Sequence, residues 1–204
     1  RWIADATLHV LEQNRYGLVL TYLPHLDYDH QRFGPASPEG QRALNAVDLQ
    51  AGRLIDGAQA AGMRVAVLSD YAFEPVSRPI FLNRALRSAG LLAVQRAANG
   101  ELLEPGASTA FAVCDQQVAH VYVNQLGSLG AVAKLLRGID GVERVLDRDA
   151  LRAAGLDHPR SGELLAIAAP DCWFAYPYWL DERRAPDFAG CVAIHDKPGF
   201  DPAE

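Results

Sequence analysis

The stretch that decides the fold reads GLVLTYLPHLD at residues 17–27. Its first seven residues are a short apolar run that ends at Pro24 and follows a helical apolar pattern over residues 2–14. A run of this length, closed by a turn residue, is typical of a buried parallel strand. The run RVAVLS at residues 64–69, which ends at Asp70, predicts a second strand of the same kind.

The segment between these two runs predicts how they are connected. Residues 25–40 are polar and contain glycine and proline, which favours a loop, and residues 41–61 have the apolar spacing of a long helix that stops at Gly62. Strand, helix and strand in this order predict a right-handed βαβ unit in a parallel sheet. Functional groups of such sheets lie just past the carboxyl ends of the strands, where Asp27 and Asp70 both stand.

The pattern of predicted secondary structure changes after residue 89. A predicted helix at residues 129–137 interrupts five short strand-like runs, at residues 91–95, 110–114, 119–123, 142–146 and 164–168. We therefore predict an α/β fold: a mostly parallel sheet flanked by helices, formed by residues 1–89 and 169–204, with a small α+β insert at residues 90–168. A last apolar run, at residues 191–194, predicts a strand that ends at His195.

Composition excludes several classes of protein. Half of the 204 residues are hydrophobic and the net charge is −6, with no run of Lys or Arg, which argues against binding to a nucleic-acid duplex. No apolar stretch reaches the roughly 18 residues of a membrane span, and no leader is visible, so a cytoplasmic location is expected. The three cysteines lack metal-site spacing and are expected to be buried thiols. Because the chain opens on Arg1 without a Met, we expect a piece of a longer protein; the oligomeric state is left open.

The predicted strand ends carry side chains that bind metal ions. Asp27, Asp70 and His195 supply carboxylates and an imidazole, the usual ligands of Zn²⁺ and similar ions, and two such ions can clamp a phosphoryl group. A helix cap or a turn is the alternative role for each aspartate. His25 and His30 flank Asp27 and are further candidate metal ligands; the alternative is that their side chains serve only in packing. His158, in a turn, is another candidate.

Three motifs carry a resemblance to a known family. Tyr22, Asp27, Gly34 and Pro35 stand at the spacing of Y-x-E-E-P-D-x-x-G-H-x-x-G-P, and residues 69–72 read SDYA where the family has S-D-H-G. His195, followed by GFD at residues 199–201, is similar to H-G-[FY]-D, and residues 158–168 resemble the strand after the family's insert. Together they resemble the nucleotide pyrophosphatase/phosphodiesterase branch of the alkaline phosphatase superfamily, over the later half of a member.

The resemblance implies a partial alkaline-phosphatase-like core and a site for two divalent ions, Zn²⁺ first, with Mn²⁺ or Mg²⁺ as alternatives. Asp27, Gln31 and His195 would hold one ion, and Asp70 and Tyr71 the other; Gln31 and Tyr71 stand where the family has histidines. The implied substrate is a small phosphate ester or nucleotide, hydrolysed at a phosphodiester or pyrophosphate bond.

The family's nucleophilic Thr or Ser and its first metal-binding Asp have no match in this chain. The isolated chain is therefore expected to be inactive. The alternatives are a degenerate, non-catalytic member that binds a ligand or partner, and a fragment without independent function.

Overall fold

The computed structural model describes residues 1–13 and 16–190, which contain six α-helices and eight β-strands. In chain order these are α1 (Trp2–Gln13), α2 (His25–Phe33), α3 (Pro38–Ala60), β1 (Arg78–Ile80), α4 (Leu82–Ser88), β2 (Val94–Ala97), β3 (Gly100–Leu103), β4 (Ala110–Asp115), β5 (Val118–Val123), α5 (Leu129–Arg137), β6 (Val142–Leu146), α6 (Arg148–Ala153), β7 (Leu164–Ala168) and β8 (Cys172–Phe174). Short 3₁₀ helices lie at Leu126–Ser128, Glu182–Arg184 and Asp187–Gly190.

The chain divides into two compact units. The first comprises residues 1–75 and 193–204, and the second residues 76–192. The whole of the predicted insert, residues 90–168, lies within the second unit, although the boundaries of the insert itself stay a prediction.

A four-stranded antiparallel sheet in the order β4-β5-β7-β6 organises the second unit. Alternate residues of β4 and β5 are buried, which is the period-2 pattern of a strand with one face on the core. Apolar side chains of α4 and α5, among them Leu86 and Leu136, belong to the same buried cluster as those strand residues. The core of this unit therefore lies between the sheet and these two helices.

Asn83 of α4 completes the free edge of this sheet. Its side-chain amide donates to the carbonyl of Ala112 at 2.8 Å, and its amide oxygen accepts from the N–H of Ala112 at 2.8 Å. β4 is an edge strand, so these two backbone groups have no neighbouring strand to pair with. The buried asparagine thus acts as a one-residue substitute for a strand.

The first unit is built from three helices. α1 packs on α3 at Gly57, where an added Cβ would lie only 2.3 Å from Cδ2 of Leu8. An ion pair between Arg53 of α3 and Asp5 of α1, at 2.6 Å, ties the same two helices. α2 contacts the other end of α3.

The two strands predicted at residues 17–23 and 64–69 are not present as strands in the described residues. Both segments lack a hydrogen-bonded ladder, and their side chains are exposed: Leu20 is 86% and Leu68 is 91% exposed. Apolar sequence alone does not make a strand, because each strand needs a neighbour that pairs with its backbone. The predicted α/β fold class is confirmed, and the prediction of a mostly parallel sheet agrees only in part: among the described residues, β1 and β8 pair in parallel and the other strand pairs are antiparallel.

The predicted loop over residues 25–40 is also wrong, since it contains α2. No residue of this helix is fully buried, so it lacks the apolar periodicity by which helices are recognised. Asp27 in its first turn and Arg32 in its last turn suit the helix dipole, and packing on α3 supplies the rest.

Other predictions are confirmed. The long helix is α3, and the runs predicted between residues 110 and 168 are β4, β5, α5, β6 and β7, with ends shifted by at most one residue. Cys114 and Cys172 are buried free thiols, and burial raises the pKa of Cys114 to about 12; Cys191 lies outside the described residues. Among the helices described, none has the length and apolarity needed to cross a membrane.

Replacing Asn83 with Ala is expected to destabilise the second unit by about 2–5 kcal/mol, because it leaves a buried N–H and a buried C=O unpaired. Urea unfolding followed by tryptophan fluorescence in a Trp2→Phe background measures this, since Trp173 and Trp179 both lie in that unit. Asn45→Ala, at an exposed helical position, is the control and should change little. An Asn83→Ala protein as stable as its parent would contradict the proposed role of the amide.

Candidate functional site around Asp27

Asp27 lies in the first turn of α2, directly after the turn at Pro24. Its backbone N–H donates to the carbonyl of Pro24 at 3.2 Å, which fixes the start of the helix. A carboxylate in the first turn is favoured by the positive end of the helix dipole. Local sequence therefore places a negative charge immediately after residues 17–23.

Two tyrosine hydroxyls donate to this carboxylate. Tyr71 donates to Oδ1 of Asp27 at 2.7 Å, and Tyr22 donates to Oδ2 at 3.0 Å. Tyr22 is the penultimate residue of the apolar run at residues 17–23, and Tyr71 lies two residues after the end of the run at residues 64–69. The structure thus brings the ends of both runs to one side chain, although neither run forms a strand ladder.

The carboxylate keeps both phenols protonated. The pKa of Tyr71 is raised, chiefly by its hydrogen bond to Asp27. The pKa of Tyr22 is also raised, and its own hydrogen bond to Asp27 is again the largest cause. At neutral pH each tyrosine is therefore a donor to Asp27, and each hydroxyl oxygen keeps lone pairs for another partner.

Gln31 and Asp70 are exposed residues close in sequence to these contacts. Gln31 follows Asp27 by one helical turn, so both project from the same side of α2. Asp70 directly precedes Tyr71 in the chain. Four of the five predicted ligands therefore lie in the described part of the first unit, and of these Tyr71 contacts Asp27.

His25 and His30 each have a buried ring nitrogen, Nδ1 and Nε2 respectively, without a hydrogen-bond partner among the described residues. Burial lowers the pKa of His25, which favours its neutral form. The ring of His30 packs edge-on against Phe73, with centroids 5.3 Å apart, and Phe73 packs against Tyr71 at 5.5 Å. His30 thus belongs to an aromatic group that reaches Tyr71.

Gly40 of α3 permits this placement of His30. A Cβ on Gly40 would lie 3.0 Å from Cδ2 of His30 and 2.9 Å from the carbonyl oxygen of Gly34. Contacts this short require the helices to move apart. No signal in the sequence marked this glycine as part of the site, because it stands among ordinary helical residues.

Of the two remaining candidate histidines, only His158 falls within the described residues. His158 is in the second unit, is exposed, and accepts the N–H of Arg160 through Nδ1 at 3.1 Å. His195 and residues 199–201 fall outside the described part of the chain.

The donors around Asp27 suit a divalent ion in their chemistry, since Asp27 and Asp70 carry the hard oxygens that such ions bind. Within residues 1–13 and 16–190, however, no three His, Cys, Asp or Glu side chains are arranged to hold an ion. The role of these residues as metal ligands therefore stays a prediction.

The chain is similar to proteins of one family over nearly its whole length. The family model described as type I phosphodiesterase / nucleotide pyrophosphatase matches residues 1–201. An uncharacterized pyrophosphatase/phosphodiesterase of Schizosaccharomyces pombe is 34% identical over 74 residues, which make up 34% of this chain and 15% of that protein. The family match thus covers nearly all of the chain.

Solved structures show a similar fold. Phosphonoacetate hydrolase from Sinorhizobium meliloti, in complex with phosphonoacetate, has a TM-score of 0.62 at 16% identity, over 91% of this chain and 43% of its own. Murine ectonucleotide pyrophosphatase/phosphodiesterase 5 has a TM-score of 0.63 at 18% identity, over 87% of this chain and 46% of its own. An inactive variant of the murine protein in complex with AMP gives 0.58 at 18% identity, over 84% and 44%. This chain therefore spans less than half the length of these structures.

Replacing Tyr71 with Phe is expected to loosen the attachment of residues 64–71 to α2. The lost hydrogen bond has a charged acceptor, so the local cost is about 1.5–3 kcal/mol, reduced by exposure to solvent. Limited proteolysis, which does not depend on backbone hydrogen bonds, should show faster cleavage within residues 64–73. Tyr16→Phe is the matched control, because Tyr16 is 47% exposed against 48% for Tyr71. Equal cleavage rates in both variants would contradict the contact.

Replacing Gly40 with Ala is expected to destabilise the packing of α2 on α3 by about 1–3 kcal/mol through overpacking. Gly52→Ala in the same helix is the control, since a Cβ there meets nothing within 4 Å. That control should stabilise α3 by about 0.5–1 kcal/mol, the ordinary gain of Ala over Gly in a helix. Hydrogen exchange of peptides from α2 and α3 distinguishes the two; the same direction of change in both variants would contradict the close approach at Gly40.

Proposed function

The chain belongs to the type I phosphodiesterase / nucleotide pyrophosphatase family, and on that premise we propose that it carries the metal-site part of a metal-dependent hydrolase of phosphodiester or nucleotide pyrophosphate bonds. The observation that carries the proposal is the family match over residues 1–201. The grouping of Tyr22, Asp27 and Tyr71 supports it, because residues of the first and second family motifs meet there.

We assign to the ions the ligands that the family resemblance implies. Asp27, Gln31 and His195 would hold one ion, and Asp70 and Tyr71 the other; His25 and His30 are the candidates to complete either set. Bound ions of the Zn²⁺, Mn²⁺ or Mg²⁺ type would neutralise charge on the phosphoryl oxygens.

The chain's own residues would position this site. Tyr22 and Tyr71 each hold one oxygen of the Asp27 carboxylate, so its plane is set before any ligand arrives. Preorganised donors and acceptors of this kind do not need to reorient during a reaction. The Tyr71 hydroxyl donates its proton to a hydrogen bond with Asp27, and the lone pairs on its oxygen keep it available as a neutral ligand.

The proposed substrate is a small phosphate ester or nucleotide. The solved relatives are described in complex with phosphonoacetate and with AMP, which both carry a phosphorus oxyanion on a small molecule. An exposed, acidic site such as that of Asp27 and Asp70 would meet such an anion through bound cations.

The test is hydrolysis of bis-p-nitrophenyl phosphate and of a nucleotide pyrophosphate by the longest natural chain that contains residues 1–204. Asp27→Asn is expected to lower kcat/KM by about 100-fold or more, because ion-mediated charge stabilisation is worth several kcal/mol. Chelation should abolish turnover, and Zn²⁺, Mn²⁺ or Mg²⁺ should restore it.

Asp48→Asn is the control for this test, since Asp48 is an exposed carboxylate of α3 in the same unit. It should leave turnover unchanged. Full activity of Asp27→Asn, or turnover that survives chelation, would rule out the proposed ion site. Metal analysis of both variants then shows whether Asp27 binds the ion or acts otherwise.

A further inference from the structure

A buried carboxylate with one unpaired oxygen lies on β3 in the second unit. The side chain of Glu101 is only 3% exposed. Its Oε2 accepts from Nη1 of Arg87 at 2.6 Å, and this hydrogen bond holds the pKa of Glu101 below its usual range. Its Oε1 is buried and has no hydrogen-bond partner among the described residues. A buried acceptor without a donor is costly, so this oxygen calls for a partner.

Two further arginines face the unpaired oxygen without satisfying it. Nη1 of Arg184 lies 3.6 Å from Oε1 of Glu101, and Nε of Arg96 lies 3.8 Å from it. Both separations are too long for a hydrogen bond. With Arg87, three guanidinium groups surround one carboxylate, so the cluster has two more positive than negative charges.

Nearby acids do not cancel this excess. Arg183, which lies beside Arg184, is paired through two of its nitrogens with Asp181, and Glu182 is paired with Arg84. Arg96 and Arg184 are 75% and 49% exposed at their side chains. They therefore present uncompensated charge to solvent next to a buried acceptor.

Arg96, Glu101 and Arg184 line a cleft of about 240 Å³ between the β2–β3 hairpin and residues 183–184. Its walls are held together by backbone contacts. The N–H of Asp187 donates to the carbonyl of Asn99 at 2.9 Å, and Gly100 adopts a φ of +113°. A Cβ on Gly100 would lie 2.4 Å from the carbonyl oxygen of Ala185, so only glycine allows this approach. The cleft is thus part of the packed structure.

We propose that this cleft binds free hydrogen phosphate, an oxyanion that keeps one proton at neutral pH. Charged oxygens of the ligand lie between the guanidinium groups of Arg96 and Arg184, which suit phosphate geometry. The remaining P–OH donates to Oε1 of Glu101 and pairs the one buried acceptor that the protein leaves open. The site lies in the second unit and does not depend on the proposed function.

Glu101 gives the cleft a selectivity that a basic patch lacks. Sulfate has the size and shape of phosphate but carries no proton at neutral pH, so it would place an anionic oxygen against the Glu101 carboxylate. A site built to accept a hydrogen bond rejects a ligand that cannot donate one. Phosphate should therefore bind at least about tenfold more tightly than sulfate.

Calorimetric titration of the protein with inorganic phosphate and with sulfate, at neutral pH and matched ionic strength, tests the proposal. Arg96→Gln and Arg184→Gln should each weaken phosphate binding by about tenfold or more. Glu101→Gln should remove the preference for phosphate over sulfate. Arg152→Gln, which changes an arginine of α6 outside the cleft, should bind as the parent does.

Equal affinity for phosphate and sulfate in the parent protein would overturn the proposal, as would unchanged binding in both arginine variants or no binding of phosphate. Binding that disappears in Asp27→Asn would assign the phosphate to the first unit and also overturn it. If Glu101→Gln does not fold, as judged by circular dichroism, the two exposed arginine variants still decide. A phosphorylated nucleoside, whose phosphate monoester has largely lost its second proton at neutral pH, should bind more weakly than free phosphate, and equally tight binding would contradict the role of the P–OH group.

Discussion

One carboxylate, that of Asp27, holds the first unit's two exposed apolar segments in place. In the described residues, these segments have no ladder of backbone hydrogen bonds that could fix their positions. Their ends are instead located by Tyr22 and Tyr71, which each donate to one oxygen of the same side chain. Because α2 carries Asp27 in its first turn, this contact joins the helix to the ends of both segments, and through Tyr71 to the aromatic group of His30 and Phe73.

The second unit solves the same problem differently. Its strands pair with one another, and where β4 lacks a neighbour the amide of Asn83 replaces it. Glu101 is the one buried carboxylate of this unit's described core, and Arg87 neutralises it from α4. Polar groups therefore have different roles in the two units. Those of the second unit complete a packed sheet, and those of the first unit gather at the start of α2.

Sequence patterns predicted β4, β5, β6 and β7 because each is a short strand-like run that finds its partner in the same sheet. Burial alternates along β4 and β5 and is nearly continuous along β7. β4, β5, β6 and β7 all pair within about sixty residues of one another, so local pattern and tertiary environment agree. The apolar runs at residues 17–23 and 64–69 carry an equally strong local pattern but no described partner. The prediction for α2 was wrong in the opposite direction: its polar sequence predicted a loop, but packing on α3 forms a helix without an apolar stripe.

The sequence by itself determined the family, through motif spacing, and placed acidic side chains at Asp27 and Asp70 just after apolar runs. It also predicted most helices and strands of residues 110–168, because side-chain periodicity is a local property. Only the tertiary structure decided that Tyr71 donates to Asp27, that Gly40 admits His30, and that Arg87, Arg96 and Arg184 converge on Glu101. These contacts join residues that are distant along the chain or lie on different elements, and their geometry depends on packing that no local pattern encodes.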